Sequence, residues 1–128
     1  MKNYIIDTHA LLWFLRGDTK LSEAAHQIIL DGTLQKSVSI VSLWEISIKN
    51  RIGKLPLKNG VSDIFDAIET MGFGLLRFNR KCIETYDTLP LLHRDPFDGM
   101  IVATAMAEQM TVITIDESIQ KYNVDWVW

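Results

Sequence analysis

The chain has a single cysteine, Cys82, so no disulfide can form within it. A reducing cytoplasm is then the simplest expected location. No stretch approaches the roughly 18 to 20 uninterrupted apolar residues of a membrane-spanning helix, so no partner membrane is expected. The opening residues, MKNYIID, lack the apolar core and small-residue cleavage site of a secretory signal. A basic excess is missing as well. Thirteen Lys and Arg stand against 16 Asp and Glu, for a formal net charge of -3. A protein that coats nucleic acid through bulk charge is therefore not expected. A nucleic-acid enzyme stays open, because a cluster of acids that holds metal ions lowers the count. Repeats, low-complexity tracts and linker-like composition breaks are also absent, and residues 1–128 read as one domain.

What is present suffices for an ordinary core, since 48% of the residues are apolar and 23% charged. The apolar run YII at 4–6 ends at Asp7 and predicts a buried strand. Residues 10–16 follow as a short helix closed by Gly17, and Ser22 caps a second helix that runs to residue 31. Residues 37–41 predict a strand and 42–52 a helix closed by Gly53. A helix from Ser62 to Gly72, a strand over 73–78 and a helix capped by Asn79 that stops before Pro90 come next. The last segments are a helix over 96–109, a strand over 111–115, a helical turn and a strand over 124–128. Alternating strands and helices predict an α/β fold: a mostly parallel sheet flanked by helices on both faces. Short apolar strands without polar alternation agree with a sheet covered on both sides.

Four acids gain meaning from that map. Asp7 ends the first strand, and Asp116 ends the strand over 111–115. Glu45 and Asp98 each fall in the first turn of a predicted helix. Helix N-termini gather at the same sheet edge as strand C-termini, and that edge is where such sheets bind ligands. Each acid also has a structural reading. Ser42-Leu43-Trp44-Glu45 fits a capping box. Asp95-Pro96-Phe97-Asp98 fits a helix start, with Asp95 as N-cap, Pro96 at the first helical position and Asp98 favoured by the helix dipole. Asp116 can cap the turn that follows it. Capping one by one does not account for four carboxylates at one edge. Like charges so placed repel, and cations between them relieve the repulsion. Carboxylate oxygens suit Mg²⁺ or Mn²⁺, which activate water and stabilise phosphoryl charge.

The segments YIIDTHALLWFL at 4–15, SIVSLWEISIKNRIGKL at 39–55, LPLLHRDPFDGMIVATA at 89–105 and TVITID at 111–116 together resemble the PIN-domain ribonucleases, and among them the VapC-type toxins of bacterial toxin–antitoxin pairs. The resemblance implies a single PIN-like domain. It also implies endoribonuclease activity dependent on Mg²⁺ or Mn²⁺, in which a metal-activated water hydrolyses the RNA phosphodiester. Asp7, Glu45 and Asp98 match the three core acids and Asp116 the fourth. Asp7 and Asp98 are then direct metal ligands, Glu45 binds metal or positions water, and Asp116 binds a second metal or reaches the first through water. Asp95 belongs to the motif with a capping role in view, and the hydroxyls of Thr8, Ser42 and Thr114 can support the acids. An antitoxin protein and a homodimer are the implied partners. Relatives with this H-x-D-P-F-D pattern often carry Arg at the next position, where this chain has Gly99; that departure bears on substrate contact, and Arg94 is the nearby substitute.

Other residues have two readings each. Lys49, Arg51, Lys54 and Lys58 can form a solvated helix end or steer RNA toward the acids. Trp13 and Trp44 are expected in the core, with base stacking as the alternative. Alternation of Val124, Trp126 and Trp128 predicts one buried face. His9 and His93 lie near the acids, and Cys82 suits an apolar core. Two other carboxylate-rich Mg²⁺ folds fit less well. A haloacid-dehalogenase-type phosphatase needs a second Asp two residues after the first, where this chain has His9. A receiver domain needs an acidic pair after its first strand, and Asp7 has no acidic neighbour. The competing class is a binding module whose acids only cap helices.

Overall fold

The structure is a computed structural model that describes residues 2–92 and 94–128. The elements in order are β1 (Asn3–Ile6), α1 (Thr8–Arg16), α2 (Glu23–Leu30), β2 (Gln35–Ser39), α3 (Ile40–Arg51), α4 (Ser62–Met71), β3 (Gly74–Leu76), α5 (Arg80–Asp87), α6 (Pro96–Glu108), β4 (Thr111–Ile113), α7 (Glu117–Gln120) and β5 (Trp126–Val127). The strands form one sheet in the order β3-β2-β1-β4-β5, and every neighbouring pair is parallel. The expected α/β architecture is therefore the one observed.

Alternate side chains of the central strands feed two cores, as the pleat requires. Tyr4 and Ile6 of β1, Val38 of β2 and Ile113 of β4 pack with Leu11, Leu43, Ile46 and Ile68 from α1, α3 and α4. Ile5 and Val112 face the other way, onto Ile101, Val102 and Ala105 of α6 and Ile119 of α7. The register that pairs Ile5 with Val112 and Ile6 with Ile113 keeps the two faces consistent across the sheet.

Several boundaries differ from expectation for local reasons. Strand β2 runs from residue 35 to 39, because the Ser39 hydroxyl accepts from Val41 N–H at 3.1 Å and starts α3 at Ile40. The β-branched pair Ile40-Val41 belongs to that helix, so tertiary burial overrides its strand preference. Strand β4 ends at Ile113, where Thr114 turns the chain by accepting from Asp116 N–H at 3.0 Å. At the other end of the chain, β5 has only two residues, too few to present a face. Trp126 is accordingly exposed, Val124 packs on one core and Trp128 on the other, against the single buried face expected of 124–128.

Candidate functional site

From β1 the chain steps outward through β2 to β3, then crosses back to place β4 on the other side of β1. The sheet therefore has a topological switch between β1 and β4, and open α/β sheets bind ligands beyond the C-terminal ends of the strands at such a switch. Asp7 follows β1 directly at that switch and is 4% exposed. Its N–H donates to Ile113 O across the switch at 3.2 Å, which locks it beside β4. Its carboxylate accepts from Ala10 N–H at 2.7 Å and so caps α1, which begins at Thr8 and not at residue 10.

Burial raises the Asp7 pKa above the ordinary carboxylate range. Hydrogen bonding from the Thr114 hydroxyl and Ala10 N–H, and the nearby His9, offset part of this rise, while the charge of Asp116 adds to it. Asp116 lies three residues past β4, not at its end as expected, and caps α7 by accepting from Ser118 N–H at 2.8 Å. The fully buried Thr114 connects the two acids: its hydroxyl hydrogen-bonds with Asp7 and accepts from Asp116 N–H.

Glu45 departs most from expectation. Because α3 starts at Ile40, Glu45 lies in the second turn, and Ser42 lies inside the helix. The capping box is absent, since Ser39 is the cap. Ser42 is fully buried and accepts a 2.8 Å hydrogen bond from the Thr8 hydroxyl, tying the residue after Asp7 to α3. The Glu45 side chain is only 4% exposed. Its Oε2 accepts from Lys49 Nζ at 2.7 Å, while Oε1 is buried without a partner among the described residues. Nothing in capping explains a carboxylate in that position.

Asp95 caps α6 by accepting from Phe97 N–H at 2.9 Å, with Pro96 in the first turn as expected. Asp98 follows in that first turn, half-buried. Phe97 meets Trp44 edge to face, 5.5 Å between centroids, so the neighbours of Asp98 and Glu45 touch. Buried Gly99 lies under the ring of Tyr86 from α5; a Cβ added there would stand 2.8 Å from Cε2. The space a side chain at 99 needs is thus filled by Tyr86, a residue no sequence pattern singled out.

Of the other candidates, Lys49 is bound to Glu45, and the i, i+4 spacing was the available signal for that pair. Arg51, Lys54, Lys58 and Arg94 are exposed. Trp44 is 57% exposed and is not a core residue, whereas Trp13 packs partly buried, edge to face with Trp128. His9 is exposed beside Trp13, and His93 lies outside the described residues. Cys82 is fully buried, as expected. A hollow of about 460 Å³ beside Trp13, Gly17 and His26 opens at the far end of α1 from Asp7 and takes no part in the acid edge.

The donor set can be weighed against a divalent ion. Among the described residues no three His, Cys, Asp or Glu side chains already stand grouped as an ion cage. The individual donors nevertheless suit a hard cation. Among the described residues, Asp7 is a buried carboxylate that no Lys or Arg pairs with, and Glu45 Oε1 is a buried oxygen without a partner. Both lie on segments joined by the Thr8–Ser42 bond.

A five-stranded parallel sheet with Asp7 at its switch point defines an open α/β protein with helices on both faces. The chain belongs to the PIN domain family, whose model matches residues 4–124. Solved structures share the fold across nearly the whole chain. A chain of VapBC2 from Rickettsia felis, bound to a DNA fragment from its promoter, is 15% identical with a TM-score of 0.75, and the match covers 98% of each chain. A chain of DNA-bound VapBC from Salmonella typhimurium is 12% identical with a TM-score of 0.74, covering 99% of this chain and 98% of that one. A toxin–antitoxin complex from Klebsiella pneumoniae contains a chain 16% identical with a TM-score of 0.67, covering 98% of this chain and 96% of that one. No curated protein matches the chain in sequence.

Proposed function

We propose that the chain is a divalent-metal-dependent endoribonuclease and the toxin of a toxin–antitoxin pair. The observation that carries this reading is two buried carboxylates in a PIN-domain fold: Asp7 at the β1/β4 switch, and Glu45, whose Oε1 has no partner among the described residues. In this reading Asp7, Glu45, Asp98 and Asp116 would hold Mg²⁺ or Mn²⁺. The bound ion supplies Lewis-acid chemistry for hydrolysis of the RNA phosphodiester. Thr114 orients Asp7 and holds Asp116 beside it; Thr8 and Ser42 keep α3 in place. Glu45 Oε1, which has no partner among the described residues, is the oxygen this acid would offer. Exposed Arg51, Lys54 and Arg94 would draw the RNA backbone toward an otherwise acidic edge.

The toxin assignment is supported by family membership together with the fold shared with chains of VapBC and other toxin–antitoxin complexes. It carries an antitoxin protein as partner, a homodimer as the assembly, and the cytoplasm as the location. Among the described residues no helix is long and apolar enough to cross a membrane.

A cap-only binding module is the second reading, because Asp7, Asp95 and Asp116 each cap a helix. One experiment separates the two. Purified protein and the Asp7→Asn variant are incubated with total cellular RNA in Mg²⁺, Mn²⁺ or EDTA. Cutting that needs the ion and is lost in the variant supports the nuclease. No cutting with either ion, and no ion-induced rise in melting temperature, sinks it in favour of the binding module.

A further inference from the structure

Lys49 stands one helical turn after Glu45, and the two form an ion pair of 2.7 Å. On an exposed helix such a pair contributes little. Here the carboxylate is 4% exposed while the Lys49 side chain is 35% exposed, so the acid is held in the interior and the ammonium reaches it from the solvent side. The pair satisfies only one of the two carboxylate oxygens. Oε2 takes the ammonium, and Oε1 is buried with no partner among the described residues. Buried polar atoms almost always have a partner, so an orphan beside a fully engaged twin marks the atom that a ligand would take.

We propose that Lys49 is a positioning residue of the acid edge: it clamps Oε2 of Glu45, leaves Oε1 as the atom offered to the divalent ion, and weakens that ion's binding through its own charge. This rests on the metal-dependent reading above. Without an ion, Lys49 is the cation that keeps the buried Glu45 charge from standing alone, and removal of one partner from a buried pair leaves such an uncompensated charge. With an ion, a fixed positive charge several ångströms from a divalent cation lowers affinity on the order of tenfold, even at a water-like dielectric. Lys49 therefore trades ion affinity for a stable ion-free state.

The test is calorimetric titration with MnCl₂ and MgCl₂ alone, together with thermal melts in EDTA and in excess ion. It uses the wild type, Lys49→Met, which keeps the apolar stem, and Lys49→Arg, which keeps the charge. The expected result for Lys49→Met is ion binding about tenfold tighter, a lower melting temperature in EDTA, and a larger ion-induced rise than in the wild type. Lys49→Arg should bind the ion as the wild type does. A pair that only stabilises the helix would lower both melting temperatures equally and leave affinity unchanged, and that outcome overturns the proposal. Should Lys49→Met not fold, Lys49→Gln keeps a donor to Oε2 without the charge, and unchanged affinity in it is equally decisive against. A wild type that binds neither ion overturns the metal-dependent reading and the Lys49 role with it. Ion binding lost in Glu45→Gln but unaltered in the Lys49 variants overturns the Lys49 role alone.

Discussion

Asp7 does two things with one carboxylate, and the two separate by substitution. As an N-cap it is matched by Asn, so Asp7→Asn keeps α1 anchored, whereas Asp7→Ala should be less stable than Asp7→Asn by about 1 kcal/mol at any pH. As a buried charge it is a liability without a cation. Folding raises its pKa, so the folded state holds the proton more tightly than the unfolded one. The stability this contributes is fully present below the unfolded value and is lost as pH rises through the raised folded value. In EDTA, the melting temperature of Asp7→Asn should therefore gain on that of the wild type as pH climbs out of the ordinary carboxylate range, then level off. A gap that does not change with pH would contradict the burial argument. Asp7 was legible as special from its place after an apolar strand. That it caps α1 through Ala10 N–H was one of the local options; that it is locked to Ile113 across the switch was not legible, because that partner lies on a strand more than a hundred residues away.

Helix α3 shows how one start position decides the meaning of several residues. The motif S-x-x-E at 42–45 has the spacing of a capping box, and the strand-like pair Ile40-Val41 ahead of it strengthens that impression. Ser39 takes the cap instead, which turns Ser42 inward to Thr8 and buries Glu45 in the second turn. Ser42→Ala should cost about 1–3 kcal/mol, because the buried Thr8 hydroxyl loses its partner, and Thr8→Val should recover much of that loss in the double variant. Chemical denaturation of the single and double variants measures the coupling. The packing of α5 on α6 offers a second cycle. Gly99→Ala gains helix propensity of about 1 kcal/mol but drives a Cβ into the Tyr86 ring, so the gain should emerge only in a Tyr86→Ala background. The Gly99 departure from the family pattern was visible in the sequence. Its companion Tyr86 was not, since a contact between two helices leaves no mark in the spacing of either.

The whole molecule is a parallel sheet whose two faces are both covered, and its stability should respond to the acid edge as a unit. If ions bind only the folded state, Mg²⁺ at a hundred times its dissociation constant adds about 2.7 kcal/mol of stability, read as a rise in melting temperature that grows with concentration. A variant with Asp7, Glu45, Asp98 and Asp116 all replaced by their amides should melt at the same temperature with and without the ion. Loss of the response on amidation, with the fold intact, would separate a metal site from a set of helix caps.

The sequence alone determined the alternation of strands and helices and the parallel covered sheet, and it pointed to Asp7, Glu45, Asp98 and Asp116 as the acids expected toward one edge. Those follow from apolar periodicity, breaker residues and the handed geometry of strand–helix–strand units, which are local properties of the chain. Only the tertiary structure decided which oxygens are satisfied: Thr114 on Asp7, Lys49 on one side of Glu45, and, among the described residues, nothing on the other. It also decided that Trp44 lies outside the core and that Tyr86 fills the place beside Gly99. Such outcomes depend on burial and on partners brought in from other elements, and neither quantity is a property of a residue's neighbours in sequence.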